Sequence, residues 1–184
     1  MTLTETPICN FGERAKNFNL LSTENRKLSL NDVKGENGTL IMFICNHCPY
    51  VKAVIKDIVK DAKHLESLGI KSTAIMSNDV KNYPEDSFEN MISFSKLHAF
   101  SFPYLIDDTQ EVAKEYGAVC TPDFFGYNKN LELQYRGRIR ELKNLKPVRK
   151  GDSDLHIAMK QIAESGIGPK NQIPSMGCNI KWFK

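Results

Sequence analysis

Two cysteines, Cys45 and Cys48, have the spacing that most directly suggests chemistry in this chain. Asn46 and His47 separate them, at a point where an apolar run ends and a helical pattern begins. Such a pair is typical of a dithiol that cycles with a disulfide, of half a zinc site, or of two small core residues. Its position at a strand-to-helix junction favours the redox interpretation.

The start of a helix suits a reactive thiol. Unpaired backbone N–H groups and the helix dipole stabilise a thiolate there and lower the pKa of the cysteine. Pro49 is compatible with the first helical turn, because its missing N–H would have no partner there. We expect Cys45, at the less covered first position, to be the attacking thiol and Cys48 to be the resolving thiol.

A structural zinc site is the main competing interpretation. It requires four ligands, usually in two closely spaced pairs. Cys9, Cys120 and Cys178 stand singly, and the histidines show no matching spacing. No metal site is therefore predicted, although a binding module that holds a metal on the two cysteines stays as an alternative.

His47 directly precedes Cys48, and two interpretations of it remain open. It is either a solvent-facing polar residue or an imidazolium that stabilises the Cys45 thiolate. In the second case His47 tunes the pair, because a lower thiol pKa makes the disulfide more oxidising.

The elements that must position these residues follow from hydrophobic periodicity. The unbroken apolar run 39–45 predicts a central strand covered on both faces. Apolar residues spaced by three and four over 51–65 predict an amphipathic helix, which ends before Gly69. A second buried strand is predicted over 70–78. The cysteine pair would then lie at the turn of a β-α-β unit.

The remaining elements predict an α/β fold, in which a central mixed sheet is flanked by helices and preceded by an N-terminal β-hairpin. Turn and capping signals predict strands at 17–22, 26–29 and 102–107, helices at 87–100, 109–117 and 153–166, and a hairpin over 122–137. We expect one domain over 1–184, with 165–184 as an irregular C-terminal tail.

Composition limits the functional classes. The chain has 184 residues, 41% of them hydrophobic, and a net charge of +3, which indicates a soluble globular protein with neither nucleic acid nor membrane as partner. It shows no spanning segment and no secretory signal, so a cytoplasmic location is expected. Five scattered cysteines argue against a disulfide scaffold.

Several segments, found in one order along nearly the whole chain, resemble the thioredoxin-fold redoxins of the alkyl hydroperoxide reductase and thiol-specific antioxidant (AhpC/TSA) superfamily. Within that superfamily, the chain resembles the peroxiredoxin-like branch that carries a Cys-x-x-Cys motif. The segments are CNHCPYVK, SNDVKNYPEDSFENM, FPYLIDDTQEVAKEYGAVCTPDFF, YRGRI and GCNIKW. The resemblance implies a thioredoxin fold with a cis-proline loop facing the cysteines. That proline corresponds to Pro122, and Thr121 would pair its backbone with a bound substrate strand.

Two positions depart from the proteins that the chain resembles. Peroxiredoxins carry a threonine three residues before the peroxidatic cysteine, where this chain has Met42 before Cys45. Thioredoxins carry a buried aspartate six residues before the first cysteine, where this chain has Thr39. The hydroxyl that positions a peroxide is thus missing, and another group must accept the proton of Cys48.

Cys120 and Cys178 are candidates for extra redox thiols. Cys120 lies two residues before Pro122, and Cys178 lies in the closing GCNIKW segment. The alternative for Cys120 is a small buried residue behind the proline loop. We also expect the tail to pack back toward the cysteine pair.

The function predicted from these observations is that of a thiol-disulfide oxidoreductase acting on protein substrates through Cys45 and Cys48. It needs no bound cofactor. Its partners would be protein disulfides or dithiol electron donors such as thioredoxin-like proteins. The alternative is a peroxiredoxin-like thiol peroxidase, in which a hydroperoxide oxidises Cys45 to a sulfenic acid and Cys48 condenses with it.

Overall fold

Twelve strands and five α-helices are present in residues 2–184, the part of the chain that the computed structural model describes. The strands are β1 (Leu3–Glu5), β2 (Asn19–Ser22), β3 (Lys27–Ser29), β4 (Gly38–Phe43), β5 (Ile70–Met76), β6 (Tyr104–Ile106), β7 (Cys120–Thr121), β8 (Asp123–Asn128), β9 (Leu133–Tyr135), β10 (Leu142–Lys143), β11 (Lys146–Pro147) and β12 (Met176–Asn179). The helices are α1 (Leu30–Val33), α2 (Pro49–Glu66), α3 (Phe88–Leu97), α4 (Glu111–Tyr116) and α5 (Asp154–Ser165), and a 3₁₀ turn spans Pro84–Asp86.

Strand β4 lies near the centre of a seven-stranded mixed sheet with the order β3-β2-β6-β5-β4-β8-β9. It pairs in parallel with β5 and antiparallel with β8, and all six of its residues are buried. Alternate side chains enter two separate cores, with Met42 packed on the side of α2 and Phe43 on the opposite side. The predicted α/β fold, a central mixed sheet flanked by helices, is confirmed.

Helix α2 follows directly from the cysteine pair. Cys48 is its N-cap, and Pro49 is its first residue, which agrees with the expectation that Pro49 fits the first helical turn. Its apolar stripe, which includes Val51, Ile55 and Ile58, is buried against the sheet. The helix ends before Gly69, whose φ of +76° favours glycine. Because β4 and α2 are both anchored in the core, the short turn between them is fixed in place.

The predicted hairpins and caps are also present. Strands β2 and β3 pair antiparallel, and so do β8 and β9. The hydroxyl of Ser29 caps α1, that of Ser87 caps α3 and that of Ser153 caps α5. No helix among residues 2–184 is long and apolar enough to cross a membrane.

The C-terminal tail differs from the expectation of an irregular segment. Within 165–184 it forms β12, which lies between β1 and β7 in a small antiparallel sheet. Cys178 stands opposite both Leu3 and Thr121. Periodicity did not predict β1 or β12, because these strands have four residues or fewer and pair with partners far away in sequence. The tail does pack against the cysteine pair, as expected.

Candidate active site

Cys45 and Cys48 lie in the turn between β4 and α2, and both are buried, with 1% and 0% of their surface exposed. Cys45 lies two residues after the last residue of β4, and Cys48 is the residue before α2. The two side chains are close enough for one thiol to donate a hydrogen bond to the other. The predicted pair is therefore assembled at the N-terminus of α2.

Three further groups surround the two sulfur atoms. The Sγ of Cys48 lies 3.0 Å from the Sγ of Cys178 and 3.2 Å from the carbonyl oxygen of Thr121. The Sγ of Cys45 lies 3.5 Å from the hydroxyl of Thr121 and 3.9 Å from Nδ1 of His47. The site thus brings together Cys45, His47, Cys48, Thr121 and Cys178 from three separate parts of the chain.

The two thiols differ in acidity. The hydrogen bond from Cys45 lowers the pKa of Cys48 to about 4 against the opposing effect of burial, with further contributions from Cys178, Thr121 and the backbone amide of Val51. The pKa of Cys45 is raised because its proton bonds to Cys48, because it is buried, and because the Asp86 carboxylate is near. Both shifts arise mainly from one hydrogen bond between the two thiols, with Cys45 as its donor.

We expected Cys45 to be the thiolate stabilised by the helix, and the two pKa shifts run in the opposite direction. Cys48 is the N-cap of α2, but its side chain makes no capping hydrogen bond, and the Val51 amide is the smallest of the effects that lower its pKa. Cys45 lies outside the helix and nearer to a negative charge. The structure thus brings together the two predicted residues, and the shifts favour ionisation of Cys48 over Cys45.

His47 forms an ion pair with Asp86, whose Oδ2 lies 2.6 Å from the Nδ1 of His47. Its imidazole ring also stacks on Tyr83, with ring centroids 5.8 Å apart. The hydrogen bond with Asp86 raises the pKa of His47 despite partial burial. Burial raises the pKa of Asp86, but hydrogen bonds from His47 and Asn78 outweigh it and hold that pKa below its usual value.

Asp86 is a site residue that the sequence analysis missed. Besides the His47 ring, its carboxylate accepts the backbone N–H groups of Asn46 and His47 and the side-chain N–H of Asn78. These bonds hold the two residues between the cysteines. The sequence did contain an indication that Asp86 lies at the site. Asn78 and Asp86 follow β5, and the carboxyl end of β5 lies beside that of β4 because the two strands are parallel.

Cys45, His47 and Asp86 also have side chains of the types that bind metals, with ligand atoms within 4.8 Å of one another. Their hydrogen bonds argue against that use. The Nδ1 of His47 faces Asp86 at 2.6 Å, and both carboxylate oxygens of Asp86 already accept N–H groups. The ring atom nearest to Cys45 is therefore a donor rather than a metal ligand.

The Thr121–Pro122 peptide bond is cis, as predicted. The backbone edge of Thr121, expected to face a substrate strand, is instead paired with β12 of the same chain. A cavity of about 180 Å³ adjoins Pro122, and its walls include Tyr50, Arg138 and the tail residues Pro174 and Ser175. The proline loop thus borders both the cysteine pair and an open groove.

The remaining cysteines differ in their distance from the pair. Cys178 is in contact with Cys48, whereas the thiol of Cys120 donates to the carbonyl oxygen of Pro122 at 3.6 Å. Burial raises the pKa of Cys120. Cys9 is half-buried, and burial raises its pKa to about 11. Of the two candidates for extra redox thiols, the structure brings Cys178 against the pair.

Two solved structures match the chain closely over its full length. An uncharacterized conserved protein from Geobacillus kaustophilus has a TM-score of 0.94 and 39% identity, with 100% of this chain and 97% of that chain covered. A hypothetical protein from Sinorhizobium meliloti 1021 has a TM-score of 0.90 and 34% identity, with 98% of each chain covered. Neither description names an activity.

More distant structures show the fold. The thioredoxin domain of a thiol-disulfide oxidoreductase from Bacteroides vulgatus has a TM-score of 0.58 and 15% identity, with 73% of this chain and 89% of that chain covered. The fold is therefore that of thioredoxin. A comparison with curated proteins gives no match.

The sequence itself matches a family model. The model described as the AhpC/TSA family covers residues 11–142, which include β2 to β9 and both cysteines of the pair. By this match, the chain belongs to the AhpC/TSA family.

Proposed function

We propose that this protein is a thiol-disulfide oxidoreductase that acts on protein disulfides through Cys45 and Cys48. The observation that carries the proposal is the contact between the two cysteine thiols at the start of α2. Two cysteine sulfurs lie together at a helix N-terminus, and one of them has a pKa lowered to about 4 by its neighbour. A thiolate that remains ionised at neutral pH next to a second thiol is what disulfide exchange requires.

The first step is attack by Cys45 on a substrate disulfide. As the sulfur of Cys45 bonds to one substrate sulfur, the other substrate sulfur leaves as a thiolate. The proton of Cys45 passes to Cys48, to which it is already hydrogen-bonded. The carbonyl oxygen of Thr121, 3.2 Å from the Sγ of Cys48, then accepts a hydrogen bond from the newly formed thiol.

The second step closes the disulfide within the protein. Cys48 gives its proton to the departed substrate thiolate and attacks the sulfur of Cys45, and the second substrate sulfur leaves as a thiolate. Two substrate sulfurs are reduced and two protein sulfurs are oxidised, so the electrons balance. The departed substrate thiolate thus accepts the proton of Cys48, which is the role of the buried aspartate in thioredoxins and which Thr39 does not fill.

His47, Asp86 and Thr121 support this exchange. The Asp86 carboxylate holds the Asn46-His47 segment in place by accepting hydrogen bonds from the backbone N–H groups of both residues. His47 tunes the pair in this proposal, since its hydrogen bond with Asp86 raises its pKa and so favours an imidazolium, whose Nδ1 lies 3.9 Å from the Sγ of Cys45. The Thr121 hydroxyl, 3.5 Å from the same sulfur, can donate to Cys45 when that sulfur is the leaving group.

Substrate docks, in this proposal, beside Pro122 and along Thr121, whose backbone edge becomes available when β12 leaves it. The cavity beside Pro122 gives a substrate side chain a place to bind, and Tyr50 and Arg138 form part of its wall. Electrons return from a dithiol donor, such as a thioredoxin-like protein, that reduces the Cys45–Cys48 disulfide. No cofactor takes part in either half of the cycle.

Insulin reduction by purified protein with dithiothreitol tests this proposal. We expect turnover by the wild type and by C9S, whose thiol lies outside the site, and loss of turnover in C45S and C48S. In cells, C48S should retain substrate proteins as mixed disulfides on Cys45, because the resolving thiol is absent. Turnover that persists in C45S, or a C48S variant that captures no protein, would contradict the proposal.

Membership of the AhpC/TSA family favours a second candidate, a thiol peroxidase of the peroxiredoxin-like branch. The buried Met42 stands where such enzymes carry their threonine, so we expect slow peroxide turnover. Rapid consumption of hydrogen peroxide that is abolished in C45S, together with slow insulin reduction, would favour the peroxidase instead.

A further inference from the structure

The backbone edge beside the cysteine pair is occupied by the chain's own tail. Strand β12 runs antiparallel to β7, so that Cys178 stands opposite Thr121 and Asn179 opposite Cys120. Thr121 is the residue on which, under the proposed function, a substrate strand would pair. The tail therefore lies where an extended substrate would lie, with a cysteine at the central position.

Specific contacts hold the tail strand in place. The hydroxyl of Ser175 donates to the carbonyl oxygen of Pro122 at 2.8 Å, and β1 covers the outer edge of β12. Gly177 lies so close to the backbone of Thr121 that a Cβ at this position would collide with its carbonyl oxygen. Beyond β12, the backbone N–H of Lys181 donates to Asn78, which in turn bonds to Asp86.

The side chain of Cys178 is directed toward the cysteine pair. Its Sγ lies 3.0 Å from the Sγ of Cys48, which is closer than van der Waals contact between two sulfur atoms and is compatible with attack after a small movement. The residue is 2% exposed, so the contact is shielded from solvent. Cys120, on the neighbouring strand, has its thiol against Pro122 instead.

We propose that β12 is an internal substrate of the cysteine pair and that Cys178 exchanges with the Cys45–Cys48 disulfide to give a Cys48–Cys178 disulfide. This inference rests on the proposed function, because that function supplies the first disulfide. The protein then has two oxidised forms, and in the second form Cys45 is a thiol again.

The exchange balances without a further oxidant. The Cys178 thiolate attacks the Sγ of Cys48, the Cys48–Cys178 bond forms, and the Cys45–Cys48 bond breaks. Cys45 leaves as a thiolate and takes up the proton that Cys178 has lost. One disulfide is exchanged for another, so the number of oxidised sulfurs does not change.

The charges around Cys178 make the exchange depend on the oxidation state. Burial raises the pKa of Cys178 to about 12, with a hydrogen bond to Cys48 and its negative charge contributing further, whereas Lys181 lowers it. Oxidation of Cys48 to a disulfide removes both the hydrogen bond to Cys48 and the negative charge of Cys48. Cys178 therefore becomes easier to ionise once the disulfide has formed.

Disulfide mapping tests the inference. Reduced full-length protein is oxidised with one equivalent of diamide, quenched in acid, blocked with N-ethylmaleimide, digested with trypsin and analysed by mass spectrometry. Trypsin leaves Cys45 and Cys48 on one peptide, 35–52, and Cys178 on another, 171–181. In the wild type we expect two products. One is a closed 35–52 peptide, in which Cys45 and Cys48 form an internal disulfide. The other is peptide 35–52 linked to peptide 171–181 by a Cys48–Cys178 disulfide, with Cys45 blocked by N-ethylmaleimide.

Three variants sharpen this result. C45S, which cannot form the first disulfide, should carry the 35–52 to 171–181 linkage in most molecules. C178S should show only the closed 35–52 peptide. C120S removes an equally buried cysteine from the adjacent strand and should match the wild type.

The two proposals fail in different ways. A closed 35–52 peptide in the wild type, with no linkage to 171–181 in either the wild type or C45S, overturns the internal-substrate inference and leaves the proposed function intact. Absence of the closed peptide, together with no insulin reduction, overturns the proposed function. Linkage to 171–181 through Cys45 rather than Cys48 also overturns the inference.

Discussion

At the residue scale, the site depends on the hydrogen bond between the two thiols and on one buried carboxylate. The pKa of Cys45 is raised because Cys45 donates a hydrogen bond to Cys48, because it is buried and because Asp86 lies near it. Asp86 is fully buried, yet its ionised form persists because donors from His47, Asn46 and Asn78 surround it. A buried charge is tolerated only when it is paired in this way.

Replacement of Asp86 by asparagine tests this arrangement. D86N should lower the free energy of unfolding by about 3 kcal/mol, the typical cost of removing one partner from a buried ion pair. It should also shift the pKa of His47 down toward its ordinary value, which an NMR titration of the imidazole measures. E85Q, which changes the exposed neighbouring residue, serves as the matched control and should leave both quantities unchanged.

The decrease in the free energy of unfolding caused by D86N should depend on pH, because the pKa values of both Asp86 and His47 are shifted. Asp86 has a lowered pKa in the folded protein. Its contribution to the free energy of unfolding is therefore present above its unfolded-state pKa of about 4 and is lost as the pH falls through its folded-state pKa. His47 has a raised pKa, so its contribution is complete below about 6.5 and is lost as the pH rises through the folded value. The difference in free energy of unfolding between the wild type and D86N should be largest between about pH 4 and 6.5. A difference that grows steadily above pH 7 would contradict the ion pair.

At the element scale, two junctions create the site. The turn from β4 into α2 places Cys48 at the N-cap of the helix. The pairing of β7 with β12 covers the opposite side and brings Cys178 to Cys48. The first junction belongs to the central core, whereas the second depends on a four-residue strand. The tail is therefore the element that can open while the fold remains intact.

Gly177 is the position at which the tail strand can be loosened without changing a cysteine. In G177A the new methyl group collides with the carbonyl oxygen of Thr121, and such overpacking costs about 1–3 kcal/mol. We expect N-ethylmaleimide to react with Cys45 and Cys48 about ten to a hundred times faster, because the open form becomes more populated by that factor. M176A alters an exposed side chain of the same strand and is the control. Equal labelling rates in both variants would show that β12 does not shield the pair.

At the scale of the whole molecule, the sequence predicted what local pattern encodes. Apolar periodicity predicted β4, α2 and β5, and capping signals predicted the starts of α3 and α5. Because these elements fix the Cys45–Cys48 turn, the position of the pair was predictable as well. The cis bond before Pro122 was predicted from the resemblance.

The parts that were not predictable depend on contacts between distant segments. Strand β12 is recognisable only beside β1 and β7, which lie far from it in sequence. Asp86 stands 38 residues from Cys48 in a turn-rich stretch, and only the parallel pairing of β4 with β5 brings it to the site. The direction of the two thiol pKa shifts was not predictable either, because it depends on the hydrogen bond between the thiols and on the charge of Asp86, which acts on Cys45.

The central claim is that Cys45 and Cys48 form a reversible dithiol–disulfide pair, and a redox titration tests it most directly. The C178S variant is equilibrated at pH 7 with mixtures of reduced and oxidised glutathione, and the closed 35–52 peptide is quantified by mass spectrometry. We predict one reversible two-electron transition with a midpoint within the range of roughly −270 to −120 mV that is known for such pairs. Absence of a closed peptide at every potential, or irreversible oxidation of Cys45 to a sulfinic acid, would contradict the account.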